Sequence, residues 1–394
     1  MTSTSTSPLS EPILAGVVTA LVGFTSSFVV VVAGLRAVGA SPAQAASGLL
    51  ALTVTFAIGI IVLCVRFRMP ITLAWSTPGA ALLVATGPAY HGGWAAALGA
   101  FVLVGLLILA TGFIPVLGDL IGRIPAPIAQ AMLAGVLLTL CLAPVKSLAV
   151  QPLLTIPILV VWLIATRFLA RWALPLALLT ALVVIGCYLA VHGVGAGSHT
   201  EWLPEIGWTT PDIDVSAIVG IAVPLYVVTM ASQNVPGVAV LNTFGYEIPW
   251  RPAMFVTGIG TVVGAPFGGH AINLAALSAA LAAGDEAGPD RSRRWVAGVA
   301  TGVSYLVLAG LSGVLVTITS IAPHGLLETV AGLALLVTFA NALLGAFADD
   351  TYRISAALTF VTAAAGISFW GIGGAFWALV VGLLAHGVRH RVPQ

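Results

Sequence analysis

Charge is scarce in this 394-residue sequence: only 7% of its residues are Asp, Glu, Lys or Arg, against about 25% in an ordinary soluble domain. With 59% hydrophobic residues and a mean hydropathy of +1.11, that scarcity excludes a soluble globular domain and a disordered chain. It leaves a protein that crosses a bilayer many times, with lipid as its surroundings. A net charge of +1 offers no basic surface, so no nucleic-acid partner is expected. Cysteine is sparse too. Cys64, Cys141 and Cys187 lie in apolar runs with no Cys-x-x-Cys and no histidine beside them, which excludes a disulfide scaffold and gives no reason to expect a metal. No ATP-binding motif is present, and no cofactor is expected. Met1 to Ser10 lacks the basic stretch and cleavage site of a signal peptide, so the first apolar run is expected to stay in the mature protein. Long continuous runs exclude an outer-membrane barrel and point to a bacterial inner membrane.

What is present is a series of apolar runs. Spans are expected near 12–37, 43–65, 94–113, 127–143, 152–168, 172–192, 215–233, 252–266, 295–320, 325–347, 354–368 and 370–388, each of a length a bilayer demands. Two further segments are broken. Met69 to Tyr90 opens with an extended-looking Ile71–Trp75, and Pro78 then fits the first turn of a short helix ending near Pro88. Gly264 to Gly284 has the same plan: Gly/Pro-rich backbone, then a short helix from about Ala275 to Ala283. Each short helix reaches about half way across a hydrocarbon core.

The two broken segments resemble each other. Ile71-Thr72-Leu73-Ala74 aligns on Ile272-Asn273-Leu274-Ala275 at an offset of 201, and Leu35–Gly39 aligns on Leu241–Gly245 at 206, which sets Ser26 opposite Ser232. The order of long helix, helix and broken segment recurs in both halves, the mark of an internal repeat. Matched Gly/Pro-interrupted segments are also a pointer to a transporter's binding site. Counting both gives an all-α polytopic membrane protein of 14 segments in two inverted repeats of seven, the third and tenth being the broken segments. With both termini inside, twelve of the fourteen Lys and Arg fall on the cytoplasmic side and only Arg36 and Lys146 outside, as the positive-inside rule requires. A twelve-helix count also leaves both termini inside, but it sets Arg66 and Arg68 on the same side as Tyr90-His91-Gly92.

In so uncharged a chain, each polar group at membrane depth needs a reason. Glu328 alone among thirteen acids begins a long apolar helix; it is either a proton-carrying carboxylate or an interfacial residue at a helix N-terminus. His270 is either a proton switch or a structural hydrogen-bonding group. Ser232-Gln233-Asn234 precede Pro236-Gly237, so a kinked or interrupted helix is expected, its amides serving substrate or the break. Phe24-Thr25-Ser26-Ser27-Phe28 sets hydroxyls between aromatic rings, although such hydroxyls commonly satisfy carbonyls one turn back. Trp75, Ser76 and Thr77 stand where a half-helix presents free N–H groups, a place that binds anions without Arg or Lys.

The runs Met69–Ala80 (MPITLAWSTPGA), Ser232–Gly237 (SQNVPG) and Pro266–Ala275 (PFGGHAINLA) are similar to hallmarks of the benzoate:proton symporter family of BenE type, and the resemblance extends from Leu9 to about Arg389. That family is related to nucleobase permeases and sulfate-permease-type anion transporters. The resemblance implies a core domain (12–113 and 215–320) and a gate domain (114–192 and 321–394), with 1–11 as a tail and 193–214 as an external linker. The implied strands are Ile71–Trp75 and Ala271–Leu274. It implies a non-enzymatic secondary transporter that imports benzoate with a proton, and a homodimer through the gate. Expected substrate contacts are Phe24, Ser26, Ser27, Phe28, Trp75, Ser76, Thr77, Ser232, Gln233, Asn234, Phe267 and Asn273, with His270 or Glu328 as proton carrier. Nucleobase permeases hold substrate with an acid in the eighth segment; Gln233 and Asn234 stand here instead, and an amide suits a carboxylate. The alternatives are another anion or a nucleobase as cargo, or a channel or membrane enzyme.

Overall fold

The structure, a computed structural model, describes residues 9–87, 90–114, 124–193, 204–275, 277–367, 369 and 372–390. Pro88, Arg123, Arg391 and part of the connection between the halves, 194–203, lie outside the described residues. In chain order the elements are α1 (Ser10–Ala37), α2 (Pro42–Phe67), β1 (Leu73–Trp75), α3 (Thr77–Thr86), α4 (Gly93–Phe113), α5 (Ala126–Val150), α6 (Pro152–Phe168), α7 (Ala170–His192), α8 (Val215–Thr243), α9 (Trp250–Gly264), β2 (Ile272–Leu274), α10 (Leu277–Ala283), α11 (Trp295–Ala309), α12 (Ser312–Ile321), α13 (Leu326–Phe347), α14 (Arg353–Ala364) and α15 (Gly374–His390). Among the described residues seven helices are long and apolar enough to cross a membrane, namely α1, α2, α4, α5, α7, α8 and α13. An eighth span is a pair, α11 and α12, bent by 55° where one helix was expected over 295–320. The chain is thus a mostly helical, multi-pass membrane protein.

Local sequence explains the starts. Ser41 caps α2 in a reciprocal capping box with Gln44, and Pro42 occupies the first turn. Ser76 caps α3, its hydroxyl accepting from the Gly79 N–H at 3.2 Å, with Pro78 again in the first turn. Asp214 caps α8; the Ser216 hydroxyl and the Ala217 N–H donate to its carboxylate and hold it below the usual acid range. The backbone is not interrupted at Pro236-Gly237 but leaves α geometry just before them: it takes π-helical turns at Ile218–Ala222 and Met230–Asn234 and resumes α-helix at Val235. Pro236, which has no N–H to give the ladder, directly follows the second π-helical turn, and the span runs to Thr243.

The strands are shorter than expected because the Ile71 N–H turns back to the Met69 carbonyl at 2.8 Å. β1 and β2 pair antiparallel, Leu73 with Leu274, Ala74 with Asn273 and Trp75 with Ile272. Non-helical backbone at membrane depth must find partners inside the protein, and side chains supply them. Asn234 Oδ1 accepts from the Leu274 N–H at 2.9 Å, Thr261 Oγ1 accepts from the Ile272 N–H at 3.1 Å, and Cys64 Sγ donates to the Ile71 carbonyl at 3.2 Å.

Around this strand pair, α1 packs on α3 and α11, α2 on α11, and α4 on α9. α5 packs on α13 and α14, and α14 on α15. The approach of α1 to α3 needs Gly34, where an added Cβ would lie 2.6 Å from the Ala80 carbonyl oxygen. The described part of the linker is a strap rather than a free loop. Gly207 N–H donates to Ser47 Oγ at 3.0 Å, Thr209 N–H to the Pro266 carbonyl at 2.9 Å and Asp212 N–H to the Ala95 carbonyl at 2.9 Å.

Candidate functional site

A cavity of about 100 Å³ lies where β1, the first turn of α3 and the start of α10 converge. α1 contributes Gly23, Ser26 and Ser27; α2 contributes Phe56; β1 and α3 contribute Ala74, Trp75, Thr77 and Pro78. Gln233 of α8, Ala275, Ser278 of α10 and Tyr305 of α11 complete one side. Leu174 of α7 and Ala334, Leu335 and Thr338 of α13 close the other. Among the described residues no charged side chain borders it. The volume is below the range of drug-sized sites and suits a ligand of one small ring.

The aromatic wall is built on Trp75. Phe24 and Phe56 meet it edge-on at 5.2 and 5.6 Å, and Tyr305 meets Phe56 edge-on at 4.7 Å. Such contacts favour one arrangement of rings. Trp75 Nε1 donates to Ser27 Oγ at 2.8 Å, so the tryptophan offers the cavity only its face.

Most hydroxyls expected at the site are already committed. Ser26 donates to the Gly23 carbonyl at 2.9 Å and Ser27 to the same oxygen at 3.5 Å. Ser76 is fully buried and accepts from both the Gly79 N–H and the Thr229 hydroxyl, the latter at 2.9 Å. Among the described residues no hydrogen bond engages the side chains of Thr77, Gln233, Ser278, Tyr305 or Thr338. These are the polar groups free for a ligand.

The structure brings Ser26, Ser27, Trp75, Thr77 and Gln233 together and distributes the other expected residues elsewhere. Phe24 backs Trp75, and Phe28 stacks on Phe24 at 5.8 Å. Ser232 does not border the cavity. Asn234 is fully buried, with its oxygen on β2 and its amide on Met230 Sδ at 3.1 Å. Asn273 Nδ2 donates to the Leu274 carbonyl at 2.8 Å, while its Oδ1 is buried without a partner among the described residues. Phe267 lies at a second, wholly apolar cavity of about 330 Å³ between α2 and α9, edge-on to Trp208 at 5.2 Å.

Neither proton-carrier candidate borders the first cavity. His270 is fully enclosed, both ring nitrogens lack partners among the described residues, and its ring meets Phe101 edge-on at 6.3 Å. Glu328 is exposed and accepts from the Gly325 N–H at 2.8 Å, capping its own helix. Phe56, Ser278, Tyr305 and Thr338 were not singled out from sequence. Each is a lone residue on an apolar helix, and only the packing of helices far apart in the chain unites them.

Asn234→Leu tests the role of Asn234 beside β2. It leaves the Leu274 N–H buried and unpaired, at a cost of about 1–3 kcal/mol. The detergent-purified variant is expected to melt lower than the wild type; equal melting removes the side chain from that role.

Comparison with known proteins places these features. The family model for the benzoate membrane transport protein, BenE, matches residues 6–388. The inner membrane protein YdcO of Escherichia coli is 34% identical over 386 residues, 97% of this chain and 96% of that one. The benzoate membrane transport protein of Acinetobacter baylyi is 28% identical over 373 residues, 95% of this chain and 93% of that one. Among solved structures, the transmembrane domain of the cyanobacterial bicarbonate transporter BicA superposes with a TM-score of 0.57 at 16% identity, covering 96% of each chain. The murine anion transporter Slc26a9 in its inward-facing state does so with a TM-score of 0.56 at 15% identity, over 98% of this chain and 68% of that one. At such identity the likeness establishes the fold alone. By the family match along almost its whole length, this chain belongs to the benzoate membrane transport family, BenE.

Proposed function

We propose that the protein imports benzoate, or a close aromatic carboxylate, together with a proton across the bacterial inner membrane by alternating access. The observation that carries this reading is the chemistry of the cavity: aromatic rings, uncommitted neutral donors and, among the described residues, no charged side chain. The ring fits among Phe56, Trp75 and Tyr305. The carboxylate faces the first turn of α3, where Thr77 and Gln233 stand, and the start of α10. A helix N-terminus favours an anion without a basic side chain.

The reading includes fourteen segments in two inverted repeats, both termini cytoplasmic. Its support is the strand register. Leu73 pairs with Leu274, 201 positions on, and 201 is also the offset at which Ile71–Ala74 aligns on Ile272–Ala275. An antiparallel pair on a two-fold axis has that property. The packing of α1–α4 with α8–α11, and of α5–α7 with α13–α15, is the basis for a core that rocks against a gate. Leu174 and α13 border the cavity from the gate side, so such a motion changes access to it.

Moving one negative charge into a cell costs about 2.3 kcal/mol per 100 mV, and a co-transported proton cancels that charge. With His270 and Glu328 away from the cavity, the substrate carboxylate itself is the group best placed to take the proton. Membrane vesicles test this. Labelled benzoate is expected to accumulate under an inward proton gradient and to leak away on adding protonophore; accumulation indifferent to protonophore overturns proton coupling. Uptake of bicarbonate or a nucleobase instead of benzoate overturns the substrate.

A further inference from the structure

Building on the reading of the cavity as the substrate site, we infer that the Tyr305 hydroxyl donates a hydrogen bond to the bound carboxylate, and that Gly23 makes room for it. Tyr305 is 2% exposed and borders the cavity. Its ring is fixed against Phe56, with an angle of 89° between the ring planes. A phenol hydroxyl buried without a partner is unfavourable, and none of the described residues bonds this one. The open cavity that Tyr305 borders is where an acceptor can reach it, water when the site is empty and a ligand when it is filled.

The geometry around Gly23 is selective for the hydroxyl. A Cβ added there would lie 2.3 Å from the Tyr305 oxygen, but 3.5 Å from its Cζ and 3.8 Å from Ser278 Cβ. Only the oxygen is in the way; the rest of the ring sits at ordinary contact distance. The hydroxyl therefore sits against the α1 backbone at Gly23. An aromatic ring offers no acceptor of comparable strength, whereas a carboxylate accepts short, strong bonds from O–H groups. In a cavity without cations, each such donor counts.

The test is benzoate binding to the purified full-length protein, by calorimetry or thermal shift, in three variants. Tyr305→Phe is expected to weaken benzoate binding by roughly tenfold or more, as for a lost hydrogen bond to a charged group, without lowering the ligand-free melting point. Gly23→Ala is expected to weaken it further, because the new methyl displaces the tyrosine ring. The double variant Gly23→Ala/Tyr305→Phe is expected to return to the level of Tyr305→Phe alone. Wild-type affinity in Tyr305→Phe overturns the inference, and so do additive losses in the double variant. If the wild type itself does not bind benzoate, the substrate reading fails and this inference with it. If the wild type binds and Tyr305→Phe is silent, the role of Tyr305 alone fails.

Discussion

Gln233→Glu is expected to abolish benzoate uptake while the protein stays folded. Gln233 borders the cavity, is half-buried, and has no hydrogen-bond partner among the described residues. Exchanging amide for carboxylate hardly changes shape, so packing survives. The charge is another matter. Two like charges about 4 Å apart repel by about 4 kcal/mol at the effective dielectric of a partly buried site, close to a thousandfold in affinity at 1.4 kcal/mol per tenfold. No Lys or Arg borders the cavity to offset this. Gln233→Asn, which shortens the side chain but keeps it neutral, is expected to cost far less. The effect has a pH signature as well. Repulsion raises the pKa of the introduced carboxylate above the usual value near 4.3. Its uptake relative to wild type should therefore recover as the medium is acidified and the carboxyl becomes neutral. Wild-type uptake by Gln233→Glu at neutral pH would remove Gln233 from the site and undercut the anion reading.

The same residue shows what sequence can and cannot tell. Ser232-Gln233-Asn234 reads as a polar cluster at membrane depth, and polarity there does mark a break in regular structure. It does not say which polar group serves the ligand and which serves the break. Asn234 is spent on the Leu274 N–H, Ser76 on the Gly79 N–H, and Thr261 on the Ile272 N–H. What is left over for a ligand, such as Gln233 and Thr77, borders the cavity without a hydrogen-bond partner among the described residues. Backbone satisfaction is the stronger demand, because an unpaired group in hydrocarbon costs several kcal/mol.

The long apolar runs, the two half-helices and the approximate strands were legible because Pro, Gly and hydropathy mark them directly. The bend between α11 and α12 was less so: Gly310-Leu311-Ser312 reads as a tolerable interior of a 295–320 helix, yet the pair is bent there by 55°. Phe267 illustrates the converse. It lies in a family motif beside a broken segment, yet the strap bearing Trp208 draws it to the other cavity. The aromatic wall was half visible. Trp75 carries a motif; Phe56 and Tyr305 are anonymous members of apolar helices until α2 and α11 pack together.

Arg294→Ala is expected to cost more stability than any exposed charge change in the protein, and to weaken transport from a distance. The guanidinium side chain is only 5% exposed. Its Nη1 donates to the Ala283 carbonyl at the end of α10 at 2.6 Å, and its Nε to the Gly288 carbonyl at 2.8 Å. Its third contact, Nη2 to Asp285 at 2.8 Å, is to a carboxylate in open solvent. Exposed ion pairs contribute little, so the two carbonyls decide the matter. A cation there also complements the negative end of the helix dipole. Stranding two buried carbonyls costs roughly 2–5 kcal/mol in all. The detergent-purified variant should melt several degrees lower, Asp285→Asn should melt near wild type, and Arg294→Lys should recover only part of the loss, because one ammonium cannot reproduce the planar fork. The functional link is α10 itself, whose first turn presents Ser278 to the cavity. Loosening its far end is expected to blur that edge of the site and lower benzoate uptake in proportion to the melting loss. Equal losses in Asp285→Asn and Arg294→Ala would show instead that the surface ion pair, not the capped carbonyls, holds α10 in place.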